Sequence, residues 1–378
     1  MNDGSIAKIE REGLTSRTFS ALKWILPILV VCDHYYRIFM LPGHLSKDPV
    51  ATRTAVDLVY SFILNFEVPV FFLISGYLIC TQSHVTFSSY RYKLKRRLVS
   101  LGIPYIVFIA YGFFIEYIQY RLHGSYPHYN AQAVLEYFTG VPDVFPINVP
   151  LWFMRDLIIL CLIYPLVHVL LKTTRGLALI LISVPYLLFF KTDSYAHLLV
   201  GPVFFSLGYY LRMIQADPVV ISRRIYRPLI PLYIILGIIV AFPGLSGLPA
   251  DKLTVIKNIN SLIFIPVIIA LVSIAVENKR LPVSARLVSA MFFIYVTHHP
   301  LRNIYIYYYY HHFRDIGDVA FVLSLTCLTA ATIFALWGVY LLSERLFPRL
   351  TGFVMGHRDC PPKMQKRPVA SERLSEAV

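Results

Sequence analysis

The sequence predicts an all-α polytopic membrane protein of about ten transmembrane helices, with N- and C-termini cytoplasmic, and three observations carry that reading. The first is composition: 57% of the 378 residues are hydrophobic, 15% are charged, and the mean hydropathy is +0.62. Soluble chains average about 45–50% apolar and about 25% charged residues. The second is segmentation. Ten apolar stretches approach the ~20 residues that cross ~30 Å of hydrocarbon, at residues 22–41, 55–80, 98–120, 150–171, 176–190, 196–214, 228–246, 258–276, 288–310 and 317–343. The third is where Lys and Arg fall. With the N-terminus inside, the inner segments hold 24 of the 35 basic residues, and the outer ones hold Lys47, Arg53, Arg121, Lys191, Lys252, Lys257 and Arg314. Cytoplasmic loops carry such an excess, so topology accounts for the net charge of +14 without a nucleic-acid partner.

Three regions follow from this division. Residues 1–18 are polar, show no signal-peptide cleavage pattern, and read as a cytoplasmic N-terminal segment. Residues 19–346 form the membrane domain. Residues 347–378, with Pro361, Pro362 and scattered charge, read as a disordered cytoplasmic tail. The five cysteines lack ligand-like spacing and indicate neither a disulfide framework nor a metal site.

In the first crossing, Lys23 and His34 stand eleven residues apart. At ~100° and ~1.5 Å per residue they share one helix face about 16 Å apart, Lys23 near a membrane edge and His34 near mid-bilayer. A titrating group at that depth needs a protein interior or a wet cavity, which marks a functional site; a packing histidine is the plain alternative. The second crossing, NFEVPVFFLISGYLIC, carries Glu67 at similar depth and Pro69 two residues on, a pairing that argues for a bent helix beside a cavity. Its Ser75 and Gly76 permit close helix approach.

A basic run, SSYRYKLKRRLVSLGIPYI, leads into the third crossing. Arg91 and Lys95 lie one turn apart, and Arg96 and Arg97 extend the patch. Arginine forks suit the phosphates of a nucleotide-like thioester, although topology or anionic lipid explains the same charges. The loop Arg121–Val149 is the longest connection, and its HGSYPHYN stretch could stack on sugar rings. The fourth crossing opens with LWFMRDL, which sets Arg155 beside Asp156. The fifth and sixth are short, and separated by KTDSY. The ninth holds FIYVTHHPL, with His298, His299 and, one turn after His298, Arg302; YIYYYYHH beyond it reads as an interfacial aromatic belt.

Lys23 with ten residues before His34, FFLISG at Phe71–Gly76, RRLVSLGIP ending at Pro104, LWFMRDL at Leu151–Leu157 and FIYVTHHPL at Phe293–Leu301 occur in that order. In this the chain resembles the acyltransferase-3 family of integral-membrane enzymes, which O-acylate cell-surface sugars, lipids and antibiotics. The likeness spans roughly residues 18 to 343. The family's hallmark is Arg, ten residues, then His; Lys23 replaces that Arg, keeping the charge but losing the bidentate fork.

The resemblance implies that His34 is the catalytic base, a role that suits histidine near neutral pH. Glu67 on the neighbouring helix is the expected orienter of His34, and Arg155 and Arg302 are candidates to stabilise the oxyanion. Lys23, Phe71, Phe72, Ser75, Gly76, Arg91, Arg96, Arg97, Trp152, His298 and His299 are expected around donor and substrate. No bound cofactor or metal is expected. Acyl-CoA, acetyl-CoA foremost, would be the donor substrate, a glycan or lipid-linked saccharide the acceptor, and the bacterial inner membrane the location. The rival is a transporter or flippase of polysaccharide intermediates without acyl transfer, since many helices around a polar cavity fit that too. No inverted repeat is visible to support it.

Overall fold

The computed structural model describes residues 3–36, 58–59, 61–62, 66–80, 85–123, 130–140, 145–189, 197–242, 247–313 and 318–356. Among these described residues there is no strand. The elements are α1 (Asp3–Tyr36), α2 (Glu67–Ile79), α3 (Phe87–Arg97), α4 (Ile103–His123), α5 (Ala131–Thr139), α6 (Trp152–Thr173), α7 (Leu177–Phe189), α8 (His197–Met213), α9 (Pro218–Ala241), α10 (Ala250–Glu277), α11 (Ala285–Phe313), α12 (Asp318–Leu346) and α13 (Pro348–Val354). A bilayer offers no water to backbone groups, so an apolar chain satisfies them along helices.

Where helices begin, side chains take the orphan N–H groups. Thr86 accepts from Ser89 at the start of α3, Asn130 from Ala133 at α5, and Asp217 from Val219 and Val220 at α9. Gly140, in the left-handed region at φ 66°, ends α5. Between α3 and α4 the chain does not break. Leu98–Gly102 form a π-helical turn, placed where Pro104 cannot donate to the carbonyl of Ser100.

Six helical stretches are long and apolar enough to cross a membrane: Glu12–Tyr36, Phe87–Leu122, Val149–Thr173, Pro218–Ala241, Lys252–Glu277 and Val322–Leu346. The sequence predicts ten. The second expected crossing is represented by the 13 residues of α2, with much of 55–65 outside the described residues; α7 and α8 have 13 and 17 residues. Helix α11 has 29 residues, about 43 Å, but Thr297, His298, His299, Arg302 and Asn303 make it too polar to register by composition. The segment after Phe347, expected to be disordered, opens with α13, whose buried Thr351 packs inward together with Met355 just beyond it; residues 357–378 lie outside the described ones.

Helix α1 is the common neighbour of α2, α9, α10, α11 and α12, and Leu22, Leu26, Val31 and Tyr35 on it are fully buried. At one end of the bundle, segments distant in sequence are tied together. Thr15 donates to Asp217, Arg17 to the Val276 carbonyl at 3.1 Å, and Trp24 to that of Pro282 at 3.0 Å. Arg223 pairs with Glu277, Arg286 with Glu344, and Arg212 donates to the Tyr77 hydroxyl. These are segments that the charge count groups on one side.

Candidate functional site

The last turn of α1 is held from two directions. Tyr35 and Tyr36 hydrogen-bond to Thr332 and Thr326 of α12, both at 3.1 Å, and between them the face carrying His34 turns to α11. There His34 Nδ1 lies 2.8 Å from His298 Nε2, the rings stacked with centroids 5.0 Å apart. His299 meets His34 edge-on at 5.2 Å. His298 is 0% and His299 7% exposed.

The protons of the pair follow from its partners. His298 Nδ1 faces the carbonyls of Ile294 at 3.1 Å and Tyr295 at 2.8 Å. Carbonyls only accept, so the proton sits on His298 Nδ1 and its Nε2 is an acceptor. His34 Nδ1 therefore donates, and the lone pair of His34 is on Nε2. Beside it, His299 Nδ1 is buried with no hydrogen-bond partner among the described residues. Arg302 follows one turn on and acts electrostatically on both α11 histidines.

Proline shapes this segment of α11. Pro300 has no N–H for the Val296 carbonyl four residues back. The Asn148 side chain donates to that carbonyl at 2.8 Å and to the Phe108 carbonyl at 3.2 Å, while the Tyr111 hydroxyl donates to Thr297 O at 3.3 Å. Tyr295 donates to the Pro150 carbonyl. The backbone that presents His298 and His299 is thus braced from α4 and from the turn before α6. Sequence reasoning missed Asn148 and Tyr111. Pro300 marks a carbonyl needing a donor, but nothing in the sequence says which donor reaches it.

The other expected residues are arranged differently. Glu67 is buried on α2, at 3% exposed, on a helix that packs against α1. The hydrogen-bond partner at His34 Nδ1 is His298. Arg155 donates to Asp156 at 2.7 Å and to the carbonyls of Thr139 and Gly140 at 3.1 and 2.8 Å. Those bonds clamp the end of α5 to α6. Phe72 packs with Trp152 and Phe153, ring centroids 6.4 and 4.7 Å apart, and Phe71 with Phe153 at 5.5 Å, so this aromatic set is core.

Gly76 is where α2 meets α8, and Ser75 beside it is part-buried. A Cβ on Gly76 would fall 2.0 Å from the Phe205 carbonyl oxygen, and one on Gly208 would fall 2.0 Å from that of Leu73. Lys23 is part-buried on α1. Arg91 and Lys95 flank an open groove of about 420 Å³ floored by Leu94, Leu98, Val99 and Ile103; Arg96 lies over the Tyr92 ring at 5.7 Å, and Arg97 closes α3.

The family model described as an acyltransferase domain, acyltransferase-3, matches residues 18–343. The chain belongs to the acyltransferase-3 family. No curated protein and no solved structure matches it. The match runs from shortly before Lys23 to the last turn of α12, and so includes every side chain of the His34 cluster. Together with its apolar helices it makes the chain a multi-pass membrane acyltransferase. Within this acyltransferase, the structure brings His34, His298 and His299 together with Arg302 following on α11, ties Arg155 to Asp156 and the end of α5, and packs the FFLISG motif against α6 and α8.

Proposed function

We propose that the protein is a bacterial inner-membrane O-acyltransferase that moves an acyl group, acetyl foremost, from acyl-CoA to a hydroxyl of a cell-surface glycan or lipid-linked saccharide. The observation that supports this most is the His34–His298 pair, which puts the lone pair of His34 on Nε2 with the His299 ring edge-on to it.

In this reading His34 Nε2 takes the acceptor hydroxyl proton as that oxygen attacks the thioester carbonyl. The new C–O bond forms and the carbonyl electron pair moves onto oxygen. Arg302 and the His299 ring are the nearby groups suited to oppose that charge. On collapse the carbonyl re-forms, the C–S bond breaks, and the departing CoA thiolate takes the proton from His34. The His34 Nδ1–H stays bonded to His298 throughout, which holds the ring in one tautomer. Arg91, Arg96 and Arg97 would hold the phosphates of the donor, with Lys23 adding a point charge on the way to His34.

The test uses purified protein in detergent with acetyl-CoA and no gradient, together with mass spectrometry of surface glycans. His34→Ala should lower transfer by about 10²–10⁴-fold, the usual worth of a general base. Wild-type ester content in cells expressing that variant normally would overturn the assignment. Saccharide movement across vesicles without consumption of acyl-CoA would return the transporter reading.

A further inference from the structure

We infer that a cleft between α4, α5 and α11 is the acceptor subsite, that it takes a single sugar ring, and that Gln119, Glu116 and Asn303 select the acceptor. The inference rests on the acyl-transfer reading and adds to it where the saccharide sits. The cleft is open on one side and has a volume of about 220 Å³, on the scale of one sugar ring seated at its floor.

Its chemistry distinguishes the two substrates. Glu116 and Gln119 of α4 and Asn303 of α11 offer a carboxylate and two amides, groups that bond hydroxyls in pairs, and Tyr137 and Phe145 offer apolar ring faces. No Lys or Arg is among the described lining residues, and at the edge Arg302 donates to the Asn303 amide oxygen at 3.5 Å. The lining carboxylate disfavours a phosphate-rich CoA, whereas the Arg91–Lys95 groove has the charge to hold one.

Its position fits delivery to the base. Pro300 directly follows His299, and Asn303 is four residues on, ~6 Å along α11 and ~40° around it, so the cleft adjoins the His34 cluster along α11. The walls are braced. Gly112 admits the chain at Ile147, whose Cγ2 would stand 2.9 Å from a Cβ placed on that glycine, and Ile147 N–H bonds the Tyr137 carbonyl at 3.0 Å. A pre-formed cleft with a few convergent polar groups is the usual form of a small-ligand site.

The experiment uses the full chain in nanodiscs, [¹⁴C]acetyl-CoA, and as acceptor the ester-free envelope saccharide fraction from cells lacking the protein. Asn303→Leu and Gln119→Leu should each raise the half-saturating amount of saccharide at least tenfold, while the KM for acetyl-CoA moves less than twofold. Unchanged saccharide saturation in both would overturn the subsite. A second measurement reads binding without turnover. Asn303→Cys, in a Cys327→Ser, Cys360→Ser background, should react with a methanethiosulfonate reagent at least threefold more slowly when the saccharide fraction is present, and at an unaltered rate with acetyl-CoA alone. Labelling indifferent to saccharide would also overturn it. Protection by saccharide in a protein that transfers no acetyl group would leave the subsite standing and remove the acyl-transfer reading instead.

Discussion

Replacing His298 would take away the acceptor that keeps the His34 proton on Nδ1, and both His34 nitrogens would then compete for it. His298→Leu should therefore lower kcat by about 10–100-fold, the equivalent of the ~1–3 kcal/mol lost when a buried polar group goes unpaired, with both KM values within about twofold. His298→Gln, whose Oε1 can accept the same proton, should restore part of that loss. An unchanged kcat in the leucine variant would remove His298 from the mechanism. His34 could be singled out from its depth in an apolar helix. Its partner at Nδ1 could not, because Glu67 and His298 are both intramembrane ionisable groups, and only the rotation of α1 about its axis sets His34 Nδ1 against His298.

At the scale of helices, the FFLISG motif acts through its last residue. The α2–α8 contact is so close that the backbone carbonyls of Phe205 and Leu73 occupy the space where Cβ atoms at Gly76 and Gly208 would lie. Backbone cannot swing aside as a long side chain can, so Gly76→Ala should cost at least the ~1–3 kcal/mol of overpacking. Thermal unfolding of the purified protein followed by tryptophan fluorescence checks this; an unshifted midpoint would mean that the two helices part freely. Small residues signal close packing in any sequence, but which helix approaches is a matter of assembly. The same holds for Arg155: the sequence shows an arginine next to an aspartate, and only the fold brings the end of α5 to its guanidinium.

For the whole molecule, charge is concentrated at one end, and the amide-lined cleft lies beside α11 near the Arg155 clamp. If the basic end receives the donor, Arg91→Gln, Arg96→Gln and Arg97→Gln combined should raise the KM for acetyl-CoA about tenfold or more. The effect should shrink at high salt and with a thioester of a truncated, phosphate-free pantetheine. Equal KM values for the two thioesters in the wild type would remove phosphate recognition from this patch.

An all-helical membrane architecture and the order of its motifs could be read from composition, segment length and residue spacing, because a bilayer leaves an apolar chain few ways to satisfy its backbone. The count of crossings depends on more than hydropathy, which measures side chains one window at a time: α11 holds His298 and His299 inside the bundle, where their polarity faces protein instead of lipid. The meeting of His34 with His298, 264 residues apart, depends on how two helices are turned about their axes. That rotation is set by hydrogen bonds from α12 to Tyr35 and Tyr36 and by the bracing of Pro300 through Asn148, contacts that no local pattern encodes.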